Sequence, residues 1–427
     1  MSKNFKLIIS EKIQKINIDS GLLILIKIIL SGMGFAYFFN FILMGKIFNF
    51  GYPKGTFFFK SEARFSDFTD VLTVYSTYFP GRAIAEICYF PFMYLFISPL
   101  KMIHEFLFSN YYLVNLTFIL VFFYSFFHLS YFSFGKNLKN RIILSALLLI
   151  SYPVIFALDR GNFEVIVFLG VVLFFIFYIK KNFLLSCFFL SMSISMKLIP
   201  AIFLYMFLSK KHLKYFLLTL IFVLSLTILG ILYQPESPFN VIERLLENLK
   251  LFNFNYAYKI HGLYFSHSFW GFLTLIFKIH LHRYQVSFDV IERIYLMGVL
   301  ILAGWGLYLL TLIRKTYERF EEQNFQKSNI AKIQLSSLVL VILMCLIPQV
   351  SSAYRLIYFT IPLILIFSDK DLLKNKFILV CLAVLFIPKH YLFLPNKLYG
   401  GILLDPIIMF LILNKIRSQI LNLYGLG

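Results

Sequence analysis

Asp67 and Asp70 stand three residues apart in the stretch ARFSDFTDV, a spacing that puts both carboxylates on one face of a helical turn. A carboxylate so placed can serve as general base, taking a proton from a sugar hydroxyl while that hydroxyl attacks an activated carbon. Glycoside hydrolysis by paired carboxylates would also require an acid to protonate the leaving group. A phosphate leaving group held by cations requires none. Lys197, in SMKLIP, and Arg355, in SSAYRLIY, are cations suited to a phosphate or diphosphate on a lipid headgroup. Arginine offers it a bidentate fork and lysine a point charge. Between these stretches, LDRGNFEVIVF (158–168) sets Arg160, Asn162 and Glu164 between two hydrophobic segments. Asp159 or Asn162 would also fit the N-cap of a helix start. His261 and His267 lie amid aromatics without a metal-ligand spacing, and read as interfacial or acceptor-contacting groups. Glycine-rich phosphate loops, nucleophile elbows and HExxH are absent from the sequence. No cofactor is therefore expected; metal dependence stays open.

These residues sit in a chain that is mostly apolar. Of its 427 residues 60% are hydrophobic and 19% aromatic, with mean hydropathy +0.82. Soluble domains are only about half apolar. Runs such as GLLILIKIILSGMGFAYFFNFILM are long enough to cross a bilayer core, which takes a helix of ~20 residues. The composition predicts an all-α polytopic membrane protein. The net charge of +20 does not point to nucleic acid, because the basic residues form short clusters between apolar runs, as membrane orientation requires. Cys88, Cys187, Cys345 and Cys381 are scattered singly and read as apolar filler. The basic N-terminus lacks a small-residue cleavage site, so the first apolar run reads as a retained anchor.

Clusters of Lys and Arg mark the cytoplasmic ends of the spans. They lie at Lys3–Lys15, 136–141, 180–181, 210–214, 314–332, 369–376 and 415–417. Parity between them gives about twelve crossings with both termini inside: 20–43, 111–134, 141–157, 162–179, 183–197, 198–209, 213–233, 289–313, 333–350, 353–368, 377–393 and 400–414. The segment 88–106 then reads as an interfacial helix, and 266–282 as re-entrant or interfacial. Spans 183–197 and 198–209 are short and meet at Lys197 and Pro200, a helix-breaking junction tolerated at membrane depth only where it is buried or lines a cavity. Two long outward loops, about 44–110 and 234–288, complete a single domain over 1–427. The outer face collects Asp67, Asp70, Arg160, Asn162, Glu164, Lys197, His261, His267 and Arg355. An ionisable group at membrane depth costs ~2.5–3.5 kcal/mol on insertion scales and usually marks a site.

With these residues placed, the chain resembles the GT-C superfamily of membrane glycosyltransferases, most closely its polyprenyl-phosphate-mannose-dependent branch. RFSDFTDV and YFPFMYLFISPL (64–100) are similar to that family's first outer loop, DRGNFEVIVFLGVVLFF (159–175) to its RGN-x-E segment, and LSCFFLSMSISMKLIPAIFLYMFLSKK (185–211) to its Lys-x-x-Pro hairpin. Where the family often carries YxYxP, this chain reads CYFPF at 88–92. The resemblance implies a GT-C-like bundle with a helical first outer loop. It implies Asp67 as catalytic base, with Asp70 as alternative or partner, and inverting transfer from a polyprenyl-phosphate-linked sugar to a lipid-linked or cell-surface glycan. Arg160, Asn162, Glu164, Lys197, His261, His267 and Arg355 would bind substrate at the outer face of the cytoplasmic membrane. A glycan polymerase or ligase would use a diphosphate-linked oligosaccharide, usually with a late outer loop. A transporter or flippase would need polar residues through the midplane and an inverted repeat, which the sequence lacks.

Overall fold

The computed structural model describes residues 19–47, 65–68, 89–106, 111–209, 211–234, 236–252, 257, 266–277, 287–320, 325–368, 376–389 and 400–423. Asp70 and His261 lie outside the described residues, as does the N-terminal basic segment. The described elements are helical, with one isolated antiparallel bridge between Ser266 and Ser352.

Four of the helices start where a polar side chain, from Asp19, Asn137, Asn182 or Ser268, satisfies a first free backbone N–H group. Helix α1 (Ser20–Tyr37) is capped by Asp19, whose carboxylate accepts from Gly21 N at 2.8 Å, and it continues as a π-helical stretch, Phe38–Ile47. A 3₁₀ turn, Pro91–Met93, leads into α2 (Tyr94–Phe106), followed by α3 (Tyr111–Leu129). Asn137 caps α4 (Leu138–Leu149), and α5 (Tyr152–Arg160) follows after a bend of 57°. The sequence had suggested one straight span over 141–157. Pro153, near the start of α5, lacks the N–H that a continuous helix would need there. Helix α6 (Glu164–Ile179) returns, and α7 (Phe183–Met196), capped by Asn182, ends at Lys197, whose backbone is extended. A 3₁₀ helix, Ile199–Phe207, starts at Pro200 and leads to α8 (Leu213–Leu232) and α9 (Pro238–Phe252). The break expected at Lys197 and Pro200 is therefore present, with a 3₁₀ rather than an α-helical second arm. Ser268 caps the short helix α10 (Phe269–Leu275). Next come α11 (Phe288–Phe320), α12 (Phe325–Leu346), a 3₁₀ helix Ala353–Phe359 merging into α13 (Thr360–Ile366), then α14 (Lys376–Leu385) and α15 (Gly400–Leu423).

Among the described residues five helices are long and apolar enough to cross a membrane, or six if the bent pair α4–α5 counts as one span. Four further apolar helices, Glu164–Ile179, Phe183–Met196, Ala353–Ile366 and Lys376–Leu385, are shorter. The protein is thus an all-helical, polytopic membrane protein. Several segments read as ordinary spans are short, bent or broken, and α11, α12 and α15 run past the ends drawn from hydropathy. Lys415 and Arg417 consequently lie within α15 rather than beyond it.

Helix α6 is the centre of the packing. It is almost wholly buried between α3, α7 and the 3₁₀ helix 353–359. Phe168, Phe174 and Phe175 fill its contacts with Phe122, Phe126 and Phe203. By contrast, α8 leaves Leu217, Ile221, Leu224 and Leu232 exposed, an apolar face suited to lipid. At Gly230, α8 touches the main chain of Pro91–Phe92; an added Cβ would lie 2.4–2.6 Å from those backbone atoms. Phe90 N bonds to Met196 O at 3.0 Å in the same region, which ties the start of the 91–106 segment to the end of α7. Gly230→Ala should lower stability by about 1–3 kcal/mol, the usual cost of overpacking. A downward shift in thermal unfolding of the purified protein would register it, and an unchanged midpoint would refute this packing.

Candidate functional site

The site is built on a chain reversal between α5 and α6. Gly161 adopts the left-handed conformation (φ +61°) and closes α5 with two backbone bonds: Gly161 N to Leu158 O at 3.1 Å and Asn162 N to Ala157 O at 3.0 Å. This is the Schellman pattern, in which a glycine takes the strained position without steric cost. A Cβ at Gly161 would also strike Phe65 and Phe68. Asn162 Oδ1 then accepts from Glu164 N at 2.8 Å, the first helical N–H of α6, while the other end of the amide stays available. The sequence offered Asp159 or Asn162 as N-cap; that position falls to Phe163, with Asn162 one residue before it.

That other end holds Asp67. Asn162 Nδ2 donates to Asp67 Oδ2 at 2.6 Å, and Arg160 donates to Asp67 Oδ1 through Nε at 2.7 Å and Nη2 at 2.5 Å. The residues flanking Asp67 pin it in place. Phe65 N bonds to Asp159 O at 2.8 Å, and the Phe68 ring stacks on Phe163 at 5.4 Å. Asp67 therefore does not stand in a hydrated loop.

Glu164 continues the network inward. It is fully buried, receives a hydrogen bond from Tyr358 Oη at 2.6 Å and pairs with Lys197 through Oε2. Lys197 also lies 5.6 Å from the ring centre of Tyr89 and 5.4 Å from that of Tyr354. Arg355 is buried and donates from Nη1 to Val350 O at 2.8 Å, and its charge acts on both Glu164 and Lys197. Asp67, Arg160 and Asn162 are thereby joined side chain to side chain, as are Glu164 and Lys197, and the bond from the Glu164 backbone N–H to the Asn162 side chain links the two groups, with Arg355 beside them.

Exposure sorts this network into two layers. The side chains of Arg160, Asp67 and Lys197 keep 24%, 17% and 14% of their surface open. Asn162, Glu164, Tyr358 and Arg355 lie behind them. His267 is not part of the network: it is buried against Asp405 and Lys389. Tyr89, Tyr354, Tyr358, Lys389 and Asp405 were not singled out from sequence. A signal existed for Asp405, a lone carboxylate inside an apolar run. The tyrosines are anonymous among 27. Among the described residues no group of His, Cys, Asp and Glu is arranged to hold a metal ion.

The model of glycosyltransferase family 87 matches residues 88–350, more than half of the chain. The chain belongs to this family. Family 87 is a membrane glycosyltransferase family of GT-C type, so the protein is a membrane-embedded glycosyltransferase. The matched region includes Arg160, Asn162, Glu164, Lys197 and His267; Asp67, Arg355 and Asp405 lie outside it. No curated protein and no solved structure matches the chain.

Removing one partner of a buried pair leaves the other charge uncompensated, at a cost of about 3–5 kcal/mol. Glu164→Ala should therefore destabilise this glycosyltransferase by that order, and Glu164→Ala with Lys197→Met should recover part of the loss. Thermal unfolding of the three proteins tests the pair; a double variant no better than Glu164→Ala would refute it.

Proposed function

We propose that this family 87 enzyme transfers a sugar, mannose or another hexose or pentose, from a polyprenyl-phosphate donor to a lipid-linked or cell-surface glycan, with inversion at the anomeric carbon. The reaction is placed at the outer face of the cytoplasmic membrane, in a bundle of about twelve crossings to which the shorter helices contribute. The observation that carries the reading is the partly exposed trio of Asp67, Arg160 and Lys197, linked through buried Asn162 and Glu164.

Each residue has a definite task. Asp67 is the base. Its Oδ2 accepts a single described bond, from Asn162, and a carboxylate oxygen has a second lone pair with which to receive an acceptor hydroxyl. The hydroxyl oxygen attacks the anomeric carbon as its proton passes to Asp67. The bond from that carbon to the phosphate oxygen breaks, and the electron pair leaves with the phosphate. A single displacement inverts the carbon. Negative charge thus moves from Asp67 to the phosphate, and Lys197 with Arg160 is placed to balance it in a site screened from water, where such stabilisation is usually the largest catalytic contribution. Glu164, Tyr358 and Asn162 hold these groups in position. Tyr89 and Tyr354, beside Lys197, supply apolar walls near the phosphate.

Asp67→Asn keeps the shape but cannot take the proton, so transfer should fall by roughly 10²–10⁴-fold. The measurement is incorporation from radiolabelled polyprenyl-phosphate-mannose into membrane lipids, at matched expression of folded protein. Full activity in the variant would exclude Asp67 as base; no incorporation by the wild type would exclude this donor.

A further inference from the structure

A second cluster of ionisable side chains lies apart from Asp67. His267 Nδ1 is 2.5 Å from Asp405 Oδ2, and Lys389 Nζ is 3.0 Å from Asp405 Oδ1. The three come from the segment before α10, the turn after α14 and the start of α15, and all are buried. Lys389 is fully engaged, since it also donates to Val384 O at 2.8 Å and Ile387 O at 2.9 Å and so closes the end of α14. Well-packed apolar residues often serve stability as well as a buried polar cluster does, so three ionisable groups from three segments need another explanation.

The backbone around His267 supplies one. The turn after α12, residues 347–352, has five of its carbonyls captured. Tyr295 Oη donates to Ile347 O, Ser268 Oγ to Gln349 O at 2.8 Å, Arg355 Nη1 to Val350 O at 2.8 Å, His267 N to Ser351 O at 2.7 Å and Arg355 N to Ser352 O at 2.9 Å. Ser266 pairs with Ser352 across an antiparallel bridge. The segment 266–268 is therefore a strap along the turn that carries Arg355, and the His267 side chain is its anchor. Arg355 depends on that turn for direction: one nitrogen is spent on Val350 O, while Nε has no hydrogen-bond partner among the described residues.

We propose that Asp405 is a positioning residue for the transfer reaction: through His267 it fixes the 347–352 turn and so holds the buried Arg355 guanidinium behind Glu164 and Lys197, whose ammonium meets the donor phosphate. The proposal rests on the reading above that the donor is a polyprenyl phosphate. Lys389 holds Asp405 in turn, so α14 and α15 are coupled to the phosphate side of the site without touching substrate.

The test needs no turnover. Polyprenyl phosphate binding is measured to the full-length protein in lipid nanodiscs, for the wild type, Asp405→Asn, Asp405→Glu, Arg355→Gln and the double variant Asp405→Asn/Arg355→Gln. Asp405→Asn should weaken binding by roughly 10- to 100-fold, as misplacement of a binding group does. Asp405→Glu should recover part of it. The double variant should bind no more weakly than Arg355→Gln alone, because both changes act through one guanidinium. Unaltered binding in folded Asp405→Asn overturns the proposal, as does a loss that adds in full to that of Arg355→Gln. If Asp405→Asn fails to fold, His267→Gln replaces it with the same expected outcomes. Absence of binding by the wild type overturns the donor assignment itself and the proposal with it.

Discussion

Lys197 and Glu164 are a charge pair inside a bundle packed with phenylalanine, and neither could stand there alone. The ammonium sits where α7 gives way to extended backbone; the carboxylate sits on the first residue of α6, whose start is set by Asn162. For the two to meet, α7 has to stop at that depth and α6 has to begin there. Much of the architecture follows from this constraint: the 3₁₀ arm after Lys197, the glycine reversal before Glu164, and the aromatic packing that holds α6 between its neighbours. Tyr358 reaches Glu164 from a third segment, beyond the matched family region, and brings it into the same network.

The division between open and buried groups gives the network its logic. Of the charges open to a substrate, Asp67 rests on buried Asn162 and Lys197 on buried Glu164, while Arg160 is held by Asp67, so their directions are set before anything binds. Groups that must be aimed within a fraction of an ångström are most reliably held by packed side chains with satisfied hydrogen bonds. Here the apolar bulk of the protein provides a dry surrounding for few, well-directed polar atoms.

Much of this arrangement was legible in the sequence, and what was not has physical causes. Composition alone specified a helical membrane protein. Lys197 followed closely by Pro200 announced a break at membrane depth, because both residues are costly in an apolar helix. DRGN between two apolar runs announced a polar turn, but not that Arg160 and Asn162 bond to Asp67 while Glu164 pairs with Lys197. Spacing could not show the pairings, since Asp67 and Arg160 are separated by 93 positions and Tyr358 and Glu164 by 194. Hydropathy also drew too regular a set of spans. Pro153 bends one segment, and α15 extends through Lys415 and Arg417 because amphipathic ends can remain helical beyond an apolar core. Asp405 stood out as a lone carboxylate in an apolar run, but its partners, from two other parts of the chain, could not be read from spacing.

The reversal at Gly161 leaves no slack between α5 and α6, since main-chain bonds and one amide span it completely. Each residue of an α-helix advances the chain by ~100° about the axis. Lengthening this turn by a single residue would therefore swing Glu164 away from Lys197 and carry the face of α6 that packs in the core towards its neighbours' polar or lipid sides. The turn behaves as a phase lock: its residue types can be discussed one by one, but its length admits no variation while the two helices keep their seats.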